Sequence, residues 1–298
     1  MTILPAFLDA HVHLALIDAS TLLSGGISRV IDLGGLPRAS ADDGADMPET
    51  AYANQFLAAP GGYPSLQSWT PPGSVCAVAT RAGAAAAVDA QASAGASVVK
   101  VTLNSVCGPV LDDEVLEAVV TRAHEQRMPV VVHAEGVGQA LRAFAAGVDM
   151  FAHTPFSEQL DDDVVAGMAA RMTWISTLDI HGWGERNDDF TRASDNLRRF
   201  HHAGGHVLYG TDLGNGPVPA GLNRREIEAL RDAGLSPDEV ISALTSTAGL
   251  EWASDRVTVV PGSRPTDSAG FVDWLCTARA VSKGAISSPD RAQMKEDL

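Results

Sequence analysis

This chain predicts an α/β fold, a (β/α)8 TIM barrel, on three observations. Short β-branched runs alternate with longer Ala-rich or amphipathic stretches, the pattern of repeated βα units around a parallel sheet. The 298 residues suffice for one such barrel, which typically needs ~250. Finally, polar residues close several of the runs. His11 and His13 end Phe7-Leu-Asp-Ala-His-Val-His, Lys100 sits in Ser97-Val-Val-Lys-Val, and His133 ends Pro129-Val-Val-Val-His. His153 ends Val148-Asp-Met-Phe-Ala-His, and Asp212 ends His206-Val-Leu-Tyr-Gly-Thr-Asp. Packing gives buried strands no reason to end this way, whereas a metal site built at one end of a barrel does.

The eight strands are expected near residues 7–13, 28–33, 53–59, 97–103, 129–134, 148–153, 172–179 and 206–212. In third place, Ala53-Asn-Gln-Phe-Leu-Ala-Ala competes with Val75-Cys-Ala-Val-Ala. Among the helices, Ala82–Ala94 reads as a small-residue helix packed on the sheet. Asp112-Asp-Glu opens another, with acids in the first turn and Val115, Leu116, Val119 and Val120 on one face. Asp161-Asp-Asp precedes a third of the same design, and Ser236-Pro-Asp-Glu is a capping box with Pro at the first helical position. Residues 36–50 and 60–74 are Pro-, Gly- and Asp-rich loops after the second and third strands. They fall on the catalytic face, where loops carry specificity. From Trp252 onward come a short Val257–Val260 run, a turn region and a polar tail whose last ten residues should be poorly ordered. The chain thus reads as one domain over 1–298, with a catalytic core at about 5–250 and a C-terminal remnant and tail at 251–298.

Composition narrows the partners. A formal charge of −16 argues against nucleic acid, whose phosphates it would repel. Three cysteines without a CxxC pair point to a reducing, cytoplasmic setting rather than a disulfide scaffold. No basic residue precedes Arg29, unlike the charged start of a signal peptide. No apolar run reaches the ~18 residues of a membrane span. The expected partner is a small-molecule substrate, with no membrane involvement; a homo-oligomer is compatible with the sequence.

The closing residues suggest a chemistry. Side chains alternate along a strand, so His11 and His13 point the same way and can share one ion. Lys100 interrupts Val98-Val-Lys-Val-Thr-Leu103, where desolvation lowers its pKa. The neutral amine can take up CO2 as a carbamate, whose two anionic oxygens can bridge two cations. His133 and His153 would hold the second ion with that carbamate. Asp212 would bind the first ion and act as proton acceptor. An imidazole-rich set favours two divalent ions, Zn2+ foremost. His181, in Leu178-Asp-Ile-His-Gly-Trp, is a second catalytic candidate that could steady an oxyanion. Arg38, Tyr63, Trp69 and Asn104 are candidates to bind substrate.

The order HxH, Lys, His, His, Asp on strands 1, 4, 5, 6 and 8 resembles the binuclear, metal-dependent branch of the amidohydrolase superfamily. Within it the chain is similar to imidazolonepropionase-like and prolidase-like members. Ala146-Gly-Val-Asp-Met-Phe-Ala-His, Tyr209-Gly-Thr-Asp, Leu230-Arg-Asp-Ala-Gly-Leu-Ser-Pro-Asp-Glu and Ala243-Leu-Thr-Ser-Thr-Ala carry the same likeness, over roughly residues 5–250. The resemblance implies a hydrolase that cleaves an amide C–N bond in a cyclic amide, N-acyl amino acid or dipeptide. In that mechanism a metal-bridged hydroxide attacks the carbonyl, and Asp212 serves as general acid and base. The alternatives are a deaminase of a nitrogen heterocycle, a lactonase, or a catalytically silent barrel. Relatives carry an N-terminal strand segment that builds a small β-sandwich with the C-terminus. Here His11 lies ten residues from the start, so the sandwich is expected to be absent or reduced to a remnant around Val257–Val260. Deaminases of the superfamily carry His-x-x-Glu after strand 5 and lack the strand-4 lysine. Here His133-Ala-Glu-Gly136 and Lys100 stand instead.

Overall fold

The computed structural model describes residues 1–36, 46–253, 255–265 and 267–286. Its strands follow the predicted runs closely. The order is β1 (Thr2–Leu4), β2 (Phe7–Val12), β3 (Ile27–Asp32), β4 (Glu49–Tyr52), β5 (Phe56–Ala58), β6 (Val75–Ala77), β7 (Val99–Asn104), β8 (Val130–Glu135), β9 (Met150–Phe151), β10 (Thr173–Ile175) and β11 (His206–Leu208). Two more strands close the chain, β12 (Arg256–Val260) and β13 (Arg279–Ser282). One parallel sheet has the order β11-β10-β9-β8-β7-β5-β6 and a second the order β2-β3-β4. They join into a ring at two seams. Ala10 N donates to Tyr209 O (2.9 Å) and His13 N to Leu213 O (2.8 Å), which ties β2 to the end of β11. Ser97 N donates to Tyr52 O (2.8 Å), which ties β4 to β7. The result is the expected α/β barrel.

The third stave departs from the prediction over 53–59. It splits around Asn54, whose φ is +59°. Its first piece, β4, pairs with β3, and its second, β5, pairs with β7. Glu49–Tyr52 fell partly in the predicted 36–50 loop because its Glu-Thr-Ala-Tyr buries only Ala51, too little for an apolar run. The competing Val75 segment is also a strand, β6, added outside β5. The predicted 172–179 strand stops at Ile175. Thr177 turns left-handed (φ +42°) and a 3-10 turn follows at Leu178–His181.

Along β7 the alternation is clear. Val99, Val101 and Leu103 pack outward with the helices, whereas Val98 joins the barrel interior with Leu8, Ile31, Val131, Met150, Ile175 and Leu208. Lys100 and Thr102 share the inward row, one and two steps above Val98. The helices α1 (Arg81–Ser93), α2 (Asp113–Glu125), α3 (Gln139–Ala145), α4 (Asp162–Ala169), α5 (Asp188–His202), α6 (Arg224–Asp232) and α7 (Pro237–Thr245) cover the outside, and α8 (Ser268–Leu275) follows β12. The capping box at Ser236 forms as predicted. Asp112 and Asp161 stand at their N-caps without a side-chain cap bond, and the acids after them lie in the first turn. They favour those helices through the dipole.

Where a remnant is expected around Val257–Val260, a three-stranded antiparallel sheet, β1-β12-β13, stands, in which Thr2 faces Val260 and Leu4 faces Thr258. The predicted loose tail lies outside the described residues, as does Arg38.

Candidate metal centre

At the C-terminal ends of the strands a cavity of about 190 Å³ is lined by His11, His13, Lys100, His133, His153 and Asp212. The four imidazoles form a chain with ring centroids 5.1 Å (His11–His13), 4.7 Å (His11–His153) and 4.9 Å (His133–His153) apart. Thus six of the candidate residues, from five staves, meet in one place.

The hydrogen bonds around the rings fix their tautomers. His11 Nδ1 lies 2.9 Å from Ala152 O, and His13 Nδ1 lies 2.9 Å from Gly34 O. A carbonyl only accepts, so both Nδ1 atoms carry the proton and both Nε2 atoms present lone pairs. Those two lone pairs face the same atom, Asp212 Oδ1, at 3.1 Å each. Oδ1 has no hydrogen-bond donor, whereas Oδ2 accepts from Asn215 Nδ2 at 2.8 Å. Three converging acceptors repel one another unless a cation sits among them. The same crowding raises the affinity of His13 for a proton despite burial, because Asp212 bonds and attracts it, and a divalent cation would answer it as a proton does. These residues therefore fit a metal ion, and His11, His13 and Asp212 lie close enough to share one.

Electrostatics agree with geometry. Burial would raise the Asp212 carboxyl, yet His11, His13 and His153 hold it well below the usual carboxylate range. Burial drives His11 and His153 well below the ordinary imidazole value, so both stay neutral, as ligands must. Lys100 is 2% exposed, and burial pushes its ammonium down to about 7 against the pull of Asp212. A good fraction of it is thus free amine at neutral pH.

Neighbouring residues aim the ligands. Glu135 Oε2 accepts from Asn104 Nδ2 (2.7 Å) and His133 Nε2 (3.1 Å). That leaves Nδ1 as the His133 lone pair. Asn104 therefore holds Glu135, which in turn holds His133, and does not line the cavity. His153 Nδ1 pairs with Thr177 Oγ1 at 2.9 Å. Asp9, fully buried, accepts from Thr211 Oγ1 (2.6 Å), Thr211 N and His11 N, and so locks the strands carrying His11 and Asp212 together. Both Thr177 (φ +42°) and Asp212 (φ +55°) adopt left-handed backbone, which costs about 1–3 kcal/mol each and is typical of functional sites. Glu135, Thr177 and Asp9 were not among the sequence candidates. Asp9 had a signal, an acid two residues before His11 inside an apolar strand.

Tyr63 and Trp69 line the mouth, with Phe56 and Leu16. The Tyr63 ring stacks on His133 (4.9 Å, 24°) and meets Trp69 edge-on at 6.1 Å. His181 sits on the turn after β10, its ring against Phe156 at 4.3 Å, and does not line the cavity. Burial lowers it to about 4, so it is neutral, and its Nε2 has no hydrogen-bond partner. Its turn is anchored from α6. Arg225 holds the Asp179 carboxylate with two bonds (2.7 and 2.8 Å), and Glu226 Oε2 accepts from Asp179 N at 2.8 Å.

Burial raises the Glu226 carboxyl to about 7, above the 4.5 of an exposed glutamate. The folded protein therefore holds a proton there that the unfolded chain releases between those values. That contribution to stability is full below about pH 4.5 and is lost as pH rises to about 7. Glu226→Gln, which mimics the neutral acid, should flatten this loss. It is expected to exceed the parent in stability at pH 8 by up to about 3 kcal/mol, as read by urea unfolding at pH 5 and pH 8.

Fold and site together define a metal-dependent hydrolase of the α/β-barrel type. Residues 2–248 match the amidohydrolase family, and the chain belongs to it. A relative from Mycobacterium tuberculosis, itself described as an uncharacterised protein, is 25% identical over 325 residues, spanning 97% of this chain and 82% of the relative. Among solved structures, a Xaa-Pro dipeptidase with methionine bound in its active site aligns at TM-score 0.72 and 19% identity, over 96% of this chain and 86% of that one. The ochratoxinase of A. niger aligns at TM-score 0.74 and 17% identity, over 93% and 81%. At such identities the likeness is one of fold.

Proposed function

We propose that this protein hydrolyses an amide C–N bond in a small molecule: a cyclic amide, an N-acyl amino acid or a dipeptide. The observation that carries the reading is the convergence of His11 Nε2, His13 Nε2 and Asp212 Oδ1, with Lys100, His133 and His153 lining the same cavity. His11, His13 and Asp212 would hold one divalent ion, and His133 and His153 a second. Lys100, as its carbamate, would serve both. Zinc suits this imidazole-rich set best. Bound there, such ions supply Lewis acidity toward a carbonyl and lower the pKa of a water to about neutrality.

The chain's own residues do the rest. Asp212 takes a proton from the attacking water through Oδ1 and returns it to the leaving nitrogen, while Asn215 steadies Oδ2. Glu135 and Thr177 hold the His133 and His153 rings in place. His181, neutral and with an unpartnered Nε2, lies outside the cavity lining and would steady the developing oxyanion only through a group between them. Tyr63 and Trp69 form an aromatic wall for the substrate's side chain or ring. A cavity of about 190 Å³ matches a ring-sized group, since a cavity of roughly 150 Å³ already accepts benzene. The dipeptidase among the fold neighbours acts on Xaa-Pro, which is in keeping with this scale. The cysteines are free among the described residues, in keeping with a cytoplasmic setting. No helix among those residues is long and apolar enough to cross a membrane.

The test is a substrate panel of lactams, imides, dipeptides, N-acyl amino acids, lactones and aminated purines or pyrimidines, assayed with divalent metal added. Turnover is expected on amides. Activity confined to ammonia release from the ring-amino compounds would replace the amide reading with a deaminase.

A further inference from the structure

A second cavity, of about 350 Å³, opens where the small sheet meets the barrel. It lies at the other end of the strands from the metal centre. Ala6, on its wall, directly precedes β2, while His13 follows that strand. At ~3.3 Å per residue the two ends are roughly 20 Å apart. One wall is apolar, made by Ile3 and Leu4 of β1, Ile241 of α7 and Val257 of β12. The rest carries four cations, Arg29, Arg256, Arg264 and Lys283.

This grouping runs against the chain's composition. Acidic residues outnumber Lys and Arg by 37 to 21, yet among the described residues no acidic side chain lines this cavity. Clustered like charges repel one another, and an anion among them would relieve that repulsion. Neighbours answer part of that charge. Arg264 pairs with Asp238, and Arg256 Nη1 donates to Met47 O at 2.7 Å. Arg29 extends from the inward row of β3, below Ile31, with its guanidinium 5.7 Å from the centre of the Trp252 ring. Glu49, opposite Arg29 in the β3–β4 register, attracts the guanidinium, while the Arg29 Nε is buried and has no hydrogen-bond partner. Lys283 is exposed at the rim. A buried guanidinium nitrogen without an acceptor costs free energy that an anion would recover.

The geometry points to a binding site for a small amphiphilic anion, with a carboxylate or phosphate head against Arg29, Arg264 and Lys283 and an apolar tail along β1 and α7. The apolar wall excludes a bare ion as the best occupant, because it would leave Ile3, Leu4 and Val257 unserved. The cations exclude a neutral hydrocarbon, which would leave the Arg29 nitrogen unpaired. The site belongs to a face that takes no part in the chemistry, so its ligand would act on stability or regulation rather than turnover.

Calorimetric titration of the metal-loaded full chain with octanoate, octyl phosphate, octanol and inorganic phosphate tests this. Either amphiphilic anion is expected to bind at least about tenfold tighter than octanol or inorganic phosphate, and to weaken as salt is added. The tighter of the two heads identifies the chemical source. The double variant Arg264→Gln/Lys283→Gln should lose about tenfold in that affinity with its metal content unchanged. Should it fail to fold by circular dichroism, Lys283→Gln alone, at an exposed position, carries the comparison. Equal binding of octanol, or no binding of the anions, overturns the proposal. Anion binding unchanged in the variants also overturns it, since the anion would then sit at the metals.

Discussion

Lys100→Ala is expected to hold about one divalent ion per chain where the parent is expected to hold two, with activity lower by more than about a hundredfold. The reasoning starts from burial. Lys100 is 2% exposed on the inward row of β7, between β5, where Phe56 faces it, and β8, which carries His133. An ammonium there faces imidazoles and one carboxylate, and burial pushes it down to about 7 against the pull of Asp212. The free amine is the form that takes up CO2. A carbamate replaces a poorly solvated cation with an anion among prospective cations, which reverses the sign of the local electrostatics. Alanine removes both oxygens. His133 and His153 then keep only two imidazoles for their ion, too few for tight binding, whereas His11, His13 and Asp212 keep three ligands. Short carboxylic acids such as formate or propionate fit the vacated space and should restore part of the metal and the rate. Elemental analysis with kinetics, with and without added acid, reads this directly. Full metal and full activity in the variant would show that Lys100 is not a bridge.

The ligand set was legible in the sequence because it violates burial rules. An ammonium inside Val-Val-Lys-Val and a histidine after three valines are costly unless something offsets them, and the barrel brings those costs to one cavity. Strand positions were legible for the same reason, since apolar runs such as Val130–Val132 leave little choice of environment. The third stave was not. Asn54 bends it, and Glu49-Thr-Ala-Tyr gains its strand conformation from pairing with β3 rather than from its own hydrophobicity. The residues that aim the ligands were hidden too. Glu135 looks like an ordinary polar strand end, and its service to His133 depends on Asn104 across the β7–β8 register. The cationic cavity draws on β1, β3, α7, β12 and the segments after it. No local pattern announces residues whose only common feature is their place in the fold.

Asp212→Asn should be nearly inactive while still binding metal, with kcat lower by about 10²–10⁴-fold, the usual contribution of a positioned general base. The substitution keeps shape and volume in a residue that is 2% exposed and whose left-handed backbone Asn tolerates well. An amide oxygen can still approach the ion held by His11 and His13. The new NH2 group then meets Asn215, whose own amide can rotate to offer its oxygen where it now donates to Oδ2. Metal affinity should fall with the loss of one negative charge, yet the imidazoles and Lys100 remain, so loading at high metal concentration is expected to be complete. Proton transfer has no such substitute. A carboxamide cannot accept a proton from water at neutral pH, and the neighbouring imidazoles have their Nδ1 protons committed to Ala152 O and Gly34 O. The loss should therefore fall on kcat, with KM changed little. Metal content measured beside steady-state kinetics separates the two effects. A fully loaded variant that keeps more than about a tenth of the parent kcat would place the proton acceptor elsewhere, with Glu135, at hydrogen-bond distance from His133 Nε2, the next group to test.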